Sequence, residues 1–484
     1  MVYTLRQPDL GTHRPAIDRV PYEVLSEIFL FYLNNSQETP HFWPYTLAAR
    51  PAAPTTPLLL GAVNITWRNV AWTTPRLWTT VSFKIIKITK NLEILFGLVE
   101  EWIQRAGVVL PLSINVTCHD SHRSLPFINL LKEHRHRWQK MDCRCDDPYV
   151  FELLLRNDPD TYLSNLKVVH FTVHHSEHLT EAVELDLTAD SPEEIYGFVP
   201  LSWIKTQWQA LKSIGLSTRL PVDQLMHVLR HAPALTFCSA NLDFIKEINI
   251  EVHPIVHYQL DDIRLRFYTY PEDDGVEQTI ILEELLSKLS SPSLTKLIVN
   301  FDEELNINFD AAYADTLMNF LARSRCSLKT LEQHGVIFSN EDEEDQLLAV
   351  LMATPALEHL TIATDVRDSD KGFSDHFLEC LSVQKGDPNL LPKLKYFTYY
   401  GPLGFSEEAL AMISCEVDTA PLGNPALAAA DNGAGGDPAS FPKLRLMERI
   451  EVELNDGFDD EGNYVHEPCP PQLGSVWKKI MISV

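Results

Sequence analysis

The chain has no run approaching the ~18 unbroken apolar residues that a membrane-spanning helix needs. Its opening stretch, Met1-Val2-Tyr3-Thr4-Leu5-Arg6-Gln7-Pro8-Asp9, lacks the apolar core of a secretory signal. Both absences predict an intracellular protein, cytoplasmic or nuclear, with no membrane partner. The sequons at Asn34, Asn64 and Asn115 are then chance matches. Cysteine is sparse: eight in 484 residues, at 118, 143, 145, 238, 326, 380, 415 and 469. Only Cys143 and Cys145 are close, and their gap is shorter than usual zinc spacing. Buried, reduced thiols are expected rather than a disulfide framework.

Catalytic signatures are missing as well. There is no Gly-x-Ser-x-Gly elbow, no Walker loop and no His-Glu-x-x-His. The glycine-rich Asn432–Gly436 follows no strand and opens no helix, so it does not read as a phosphate loop. Eighteen histidines invite a metal reading. The denser groups, His170, His174, His175 with His178, and Cys118, His119, Asp120 with His122, lack the paired ligand spacing of a zinc motif. No catalytic residue, metal site or cofactor is assigned, and the chain is read as a non-enzyme.

Basic charge is scarce. Forty Lys+Arg against 67 Asp+Glu give −27, and it is unevenly placed. Residues 1–110 hold 10 basic and 8 acidic side chains (10 − 8 = +2), leaving 30 − 59 = −29 on residues 111–484. An acidic body argues against nucleic acid, which selects a basic face, and against anionic membranes. The densest acidic run, Glu341–Asp345, reads as a solvated helix N-terminus favoured by the helix dipole, with a docking site for a basic segment as the alternative.

What is present begins with Val20–Trp78. Pro21 is placed to open a helix, since its missing N–H costs nothing at the first position. Val24, Leu25, Ile28, Phe29 and Tyr32 then fall on one face, and Asn34-Asn35-Ser36 ends the helix. Residues 34–57, with Pro40, Pro44, Pro51, Pro54 and Pro57, read as a loop insert. A single second helix is predicted over Leu58–Trp72, with the stripe Leu59, Leu60, Val63, Trp67, Val70 and Ala71. Thr73-Thr74-Pro75 stops it before Leu77-Trp78.

Behind this head the period alternates between strand and helix. Val81, Phe83, Ile85 and Ile88 are spaced as a strand, and 91–106 as a helix with Gly107 just past its end. Leu112, Ile114 and Val116 form the next strand, Phe127–Arg137 the next helix, and Trp138–Cys145 a further strand. A degenerate repeat follows: a helix, a corner, then Leu-x-x-Φ-x-Φ, with Φ apolar. Its copies start at Leu166, Leu211, Leu294, Leu328, Leu357 and Leu394. The last four are 34, 29 and 37 residues apart, longer and less regular than the ~20–29 of a standard leucine-rich repeat. Units of this kind bury their apolar faces only by stacking on neighbours. Residues 416–440 are of low complexity and read as a disordered loop. Residues 441–454 read as a final unit, and Val476-Trp477 with Ile480-Met481-Ile482 as a closing strand or cap.

The head resembles an F-box, of the F-box-like type abundant in mushroom-forming fungi. It matches Φ-Pro-x-Glu-Φ-Leu-x-Glu-Ile-Phe from Val20, then Leu-x-x-Val-x-x-x-Trp-Arg-x-Φ-Ala from Leu60, then Thr-Pro-x-Leu-Trp from Thr74. Val20 replaces the usual Leu, and Asn64-Ile65-Thr66 replaces the Cys-Arg/Lys pair before the Trp. Glu101–Gly107 with Leu110–Ile114, His136-Arg137-Trp138 and Arg323–Leu328 are similar to that family too. The resemblance implies an α/β chain: a flexible lead (1–17), a small helical F-box (18–80), an irregular leucine-rich-repeat-like α/β solenoid (81–415), the loop, and a final repeat with tail (441–484). It further implies a substrate-recognition subunit of an SCF-type cullin–RING ubiquitin ligase in the ubiquitin-like conjugation pathway. The head would dock on a Skp-type adaptor through Pro21, Leu25, Ile28, Phe29, Leu60, Val63, Trp67 and Trp78, and the solenoid would hold a protein target. A near-neutral head avoids repulsion with an acidic adaptor. The alternative is a non-ligase scaffold using the same two parts.

Overall fold

From the fourth main strand onward, a buried leucine stands two residues ahead of most strands in the computed structural model: Leu166, Leu211, Leu235, Leu260, Leu294, Leu328, Leu357 and Leu394. The backbone explains the recurrence. The N–H groups of Leu235, Leu294, Leu357 and Leu394 each close a turn by donating to the carbonyl three residues back, at 3.0–3.2 Å. The next residue then joins the preceding strand: Thr236 donates to Lys212, Thr295 to Asp261, Glu358 to Lys329 and Lys395 to Glu358, at 2.7–2.9 Å. The leucine thus plugs the core at the point where the chain leaves a turn and enters the sheet.

The structure describes residues 20–35, 56–155, 165–174, 183–243, 253–268, 276–301, 307–364, 373–381, 390–401, 406, 449–455 and 477–483. The expected lead, most of the Pro-rich insert and the 416–440 loop lie outside them. The chain divides into two compact units, 1–206 and 207–484. The fold is mixed α/β with a large parallel sheet.

In the first unit, the head comprises α1 (Tyr22–Asn35), α2 (Pro57–Val63), α3 (Ile65–Thr73) and a 3-10 turn, Pro75–Trp78. Then come β1 (Thr80–Ile85), α4 (Leu92–Arg105), β2 (Leu112–Cys118), α5 (Ser121–Glu133), β3 (Trp138–Cys145), α6 (Tyr149–Leu155), β4 (Val168–Val173), β5 (Leu185–Asp186), β6 (Glu194–Phe198) and β7 (Ile204–Lys205). Strands β1-β2-β3-β4-β6 pair in parallel in that order, and β5 pairs with β7. A fully buried ion pair lies behind them: Arg135 donates to Asp190 Oδ2 and to the Leu155 carbonyl, both at 2.9 Å.

The second unit comprises β8 (Ser213–Leu220), α7 (Val222–His231), β9 (Phe237–Leu242), β10 (Ile255–Val256), β11 (Asp262–Phe267), α8 (Val276–Lys288), β12 (Leu289–Ser290), β13 (Lys296–Phe301), β14 (Ile307–Asn308), α9 (Ala311–Ser324), β15 (Thr330–Ile337), α10 (Glu341–Met352), β16 (His359–Thr364), α11 (Asp375–Leu381), β17 (Tyr396–Gly401), β18 (Arg449–Asn455) and β19 (Trp477–Ser483). Strands β8-β9-β11-β13-β15-β16-β17-β18 are parallel neighbours. The expected closing strand is β19, antiparallel to β18. In β9, β11 and β15–β17, alternate side chains are buried and the intervening ones remain at least partly exposed, as expected for strands covered on one face only.

Several expectations are corrected. The second head helix is two: Asn64 is extended, and its Oδ1 accepts from Trp67 N–H at 2.8 Å, capping α3. The insert is shorter than 34–57, since α1 runs to Asn35 and α2 starts at Pro57. β1 ends at Ile85, leaving Ile88 exposed. α5 starts six residues before Phe127, where Asp120 accepts from Arg123 N–H at 3.1 Å, and it ends at Glu133. The acidic run is not a solvated face throughout. Glu343 and Glu344 are buried: Glu343 accepts from Ser339 N–H, and Glu344 accepts from the N–H and hydroxyl of Ser374 at 2.7 and 2.6 Å. Strand β9 follows the helix stopped by Pro233 before Leu235, a strand opening that the sequence signals, whereas β11, opened by Leu260, belongs to the repeat but is not among its expected copies. At β15 the missing final Φ is Gln333, fully buried and accepting from the Tyr313 hydroxyl at 2.5 Å.

Candidate docking surface

The head has its own core. Leu25, Phe29, Leu30 and Leu33 of α1, Leu60 of α2, Val70 and Ala71 of α3, and Leu77 and Trp78 of the 3-10 turn are all buried. Phe29 and Trp67 pack with ring centroids 4.8 Å apart. Helix α2 passes close to Trp72 at Gly61, where a Cβ would collide with the indole. Arg68 Nε donates to the Gly61 carbonyl at 2.8 Å, tying α3 back onto α2.

The head is also anchored to the first strand–helix unit. Trp78 Nε1 donates to the Ala71 carbonyl at 2.8 Å, and its ring meets Trp102 of α4 edge-on at 4.8 Å. The Arg105 guanidinium lies 4.6 Å from the Trp72 ring and 4.8 Å from Trp78, while bonding Glu101 at 2.6 Å. Cation–π contacts of this kind contribute roughly 0.5–2 kcal/mol each.

What the core leaves outside is the site. Tyr22, Val24, Ile28, Phe31 and Tyr32 on α1, Leu58, Leu59 and Val63 on α2, and Ile65 on α3 are exposed. Single exposed apolar residues need no explanation, but nine on three short helices form a concentration of the kind that marks interaction sites. Helix α1, Tyr-Glu-Val-Leu-Ser-Glu-Ile-Phe-Leu-Phe-Tyr-Leu-Asn-Asn, is apolar on both sides. Leu25, Phe29 and Leu33 point inward at i, i+4, i+8, and Val24, Ile28 and Phe31 outward at i, i+4, i+7.

This divides the eight expected contact residues. Leu25 (0% exposed), Phe29, Leu60 and Trp78 are core, and Trp67 is half-buried against Phe29. The side chains of these four buried residues pack within the head itself, as a head with its own core requires. Pro21, Ile28 (45% exposed) and Val63 (58% exposed) are on the surface. Tyr22, Phe31, Leu58, Leu59 and Ile65 are further surface residues outside the eight expected contacts. The signal was available, because a helix apolar all round has to bury more than one side.

The other sequence candidates are not assembled into reactive chemistry. His119 and His174, from the two histidine groups, stack at 5.3 Å with Asp146 2.7 Å from His119 Nδ1. Among the described residues, no set of three His, Cys, Asp or Glu is placed to hold a metal; His175 and His178 lie outside them. Asp142, His170 and Thr172 follow one another on the exposed sheet face at 3.5 and 3.4 Å, but Arg144 takes both carboxylate oxygens of Asp142 at 3.0–3.2 Å. Burial pushes Asp142 up, yet hydrogen bonding and charge from His170 and Arg144 outweigh it and hold the carboxyl below its usual range. Asp142 is thus an ion-pair partner rather than a base. Burial raises the thiols of Cys118, Cys143, Cys145 and Cys238, the last to about 12, which makes them poor nucleophiles. Among the described residues no helix is long and apolar enough to cross a membrane.

The chain matches no family profile and no curated protein. Solved structures do match, among them a chain of the crystal structure of a TLR13–ssRNA13 complex, 12% identical with a TM-score of 0.28. That match covers 63% of this chain and 44% of the other, so the chain spans less than half the length of its structural neighbour.

Proposed function

We propose that this protein is a target-receptor subunit of an SCF-type cullin–RING ubiquitin ligase. Residues 20–78 act as an F-box-like head on a Skp-type adaptor, and the strand–helix units behind it act as an irregular leucine-rich-repeat-like solenoid that holds a protein target. The chain supplies binding rather than catalysis, in the cytoplasm or nucleus. The observation that carries this reading is the second apolar stripe of α1, continued by the exposed residues of α2 and α3. A head with a closed core of its own has no internal use for Val24, Ile28, Phe31, Leu58, Leu59 and Val63. A fully buried side chain of this size contributes roughly 1.5–3 kcal/mol, so a few anchors would dominate the contact.

Affinity purification of the tagged full chain tests it. The adaptor and a cullin are expected together, and both are lost with Val24→Asp plus Ile28→Asp. Adaptor without cullin would replace the ligase role by the scaffold role, and absence of both would overturn the docking assignment. Leu25→Asp is unsuitable, because a carboxylate at a fully buried position unfolds the head whatever binds it.

A further inference from the structure

Helix α7 carries a histidine pair that neither the head nor the sheet uses. His227 and His231 are one turn apart and exposed, while Leu225, Met226, Val228 and Leu229 of the same helix are buried. A spacing of four residues puts the two side chains on one face. Their ring centroids are 4.1 Å apart and the planes are tilted by 34°. Two imidazoles are thus already side by side in solvent on a helix fixed by its buried face, which lowers the entropy lost on gripping a ligand.

The bonding of His231 decides which of its nitrogens can act as a ligand. Its Nδ1 lies 2.8 Å from the His227 carbonyl oxygen. A carbonyl only accepts, so in the neutral ring the proton is on Nδ1 and Nε2 keeps its lone pair. Metal-ligating histidines are oriented in this way, with the second ring nitrogen donating to a carbonyl or carboxylate. The surroundings also suit a cation. Both residues lie in the last two turns of α7, towards the negative end of the helix dipole. Arg230, the cation nearest in sequence, reaches the His253 carbonyl at 3.4 Å.

We propose that His227 and His231 form a bidentate site for a divalent transition cation of the imidazole-preferring class (zinc, nickel or copper), with water completing its coordination. Two nitrogens bound at ~2.0–2.1 Å to one cation stand about 3 Å apart, which the tilted rings reach by small side-chain rotations. Two protein ligands make an exchangeable site, unlike the four that close a structural zinc centre, and they agree with the lack of any three-ligand set among the described residues. His227-Val228-Leu229-Arg230-His231 also lacks the glutamate that makes a helical histidine pair hydrolytic, so the site binds and does not catalyse. A cation held there ties the last two turns of α7 together. The inference stands apart from the reading of the head.

The probe is Ni2+, titrated against the full chain at pH 7.5. Diethylpyrocarbonate, which acylates neutral imidazole, is added at each point, and the peptide bearing both histidines is read by mass spectrometry. Ni2+ should protect His227 and His231 together, with one shared midpoint. His227→Gln should raise the Ni2+ concentration that protects His231 by about tenfold or more, and His231→Gln should do the same to His227. His253→Gln should leave the midpoint unchanged, and Mg2+, which takes oxygen ligands, should protect neither ring. The wild-type titration decides the matter even where a variant fails to fold. No protection by Ni2+, separate midpoints for the two rings, an unchanged midpoint in the folded variants, or equal protection by Mg2+ would each overturn the proposal.

Discussion

At the scale of single residues, polar groups stitch the turns that connect the repeat units. His257 is the clearest case. Its Nδ1 accepts from the Leu260 N–H at 3.2 Å, and its Nε2 bonds the Ala232 carbonyl at 2.9 Å, which fixes the neutral tautomer with the proton on Nε2. Ser291 continues the pattern one turn on, donating to the Leu260 carbonyl at 2.8 Å while its own N–H reaches Ser324 Oγ at 3.1 Å. Burial lowers the proton affinity of His257 below its ordinary value, outweighing the opposing bond to Ala232. The unfolded ring takes up a proton near pH 6.5, the folded ring only below that. Between those two values unfolding absorbs a proton, so stability is fully present above pH 6.5 and is lost as the pH falls. Urea midpoints measured from pH 7.5 to 5 should therefore decline in the wild type and decline less in His257→Gln. Parallel slopes for the two proteins would rule His257 out as the titrating group.

At the scale of elements, two glycines separate backbone need from backbone cost. Gly335 sits at the β15 bulge with φ +72°, and a Cβ there would collide with the Phe301 carbonyl of β13. Gly97 lies inside α4, where an added Cβ would meet nothing within 4 Å. Gly335→Ala should lose about 2 kcal/mol or more, and Gly97→Ala should gain about 0.5–1 kcal/mol. Chemical denaturation of the two variants checks the opposite signs. Elements were legible in the sequence where one signal dominated. The Leu-x-x-Φ-x-Φ text finds β4, β8, β13, β16 and β17, because the leucine and the alternating pattern agree, and β15 by its leucine and first Φ alone. β9 carries Cys238 and Ala240 at its Φ positions, small residues that weaken the pattern. The break at Asn64 is hidden because the apolar stripe runs through it, although Asn at a helix start is itself a capping signal. Inner and outer faces of α1 cannot be told apart by period alone, since both are apolar and only the fold decides which one Leu25 joins.

At the scale of the whole molecule, the two proposed binding roles fall in different places. The head closes its own core, is fastened to α4 through Trp78, Trp102 and Arg105, and keeps a second apolar stripe outside. The second unit presents long rows of partly exposed polar side chains along parallel strands. Part of the candidate surface was legible: Pro21, Ile28 and Val63, among the contacts the resemblance implies, are exposed. Leu25, Phe29, Leu60 and Trp78 serve the head's own packing, a division between core and surface that the apolar pattern does not reveal. The most direct test is a titration of the purified full chain with a purified Skp-type adaptor, comparing wild type with Ile28→Asp plus Val63→Asp. Docking through the exposed stripe predicts saturable one-to-one binding by the wild type, and a loss of at least about tenfold in the variant with an unchanged melting temperature. Absence of wild-type binding, or equal affinity in a folded variant, would contradict it.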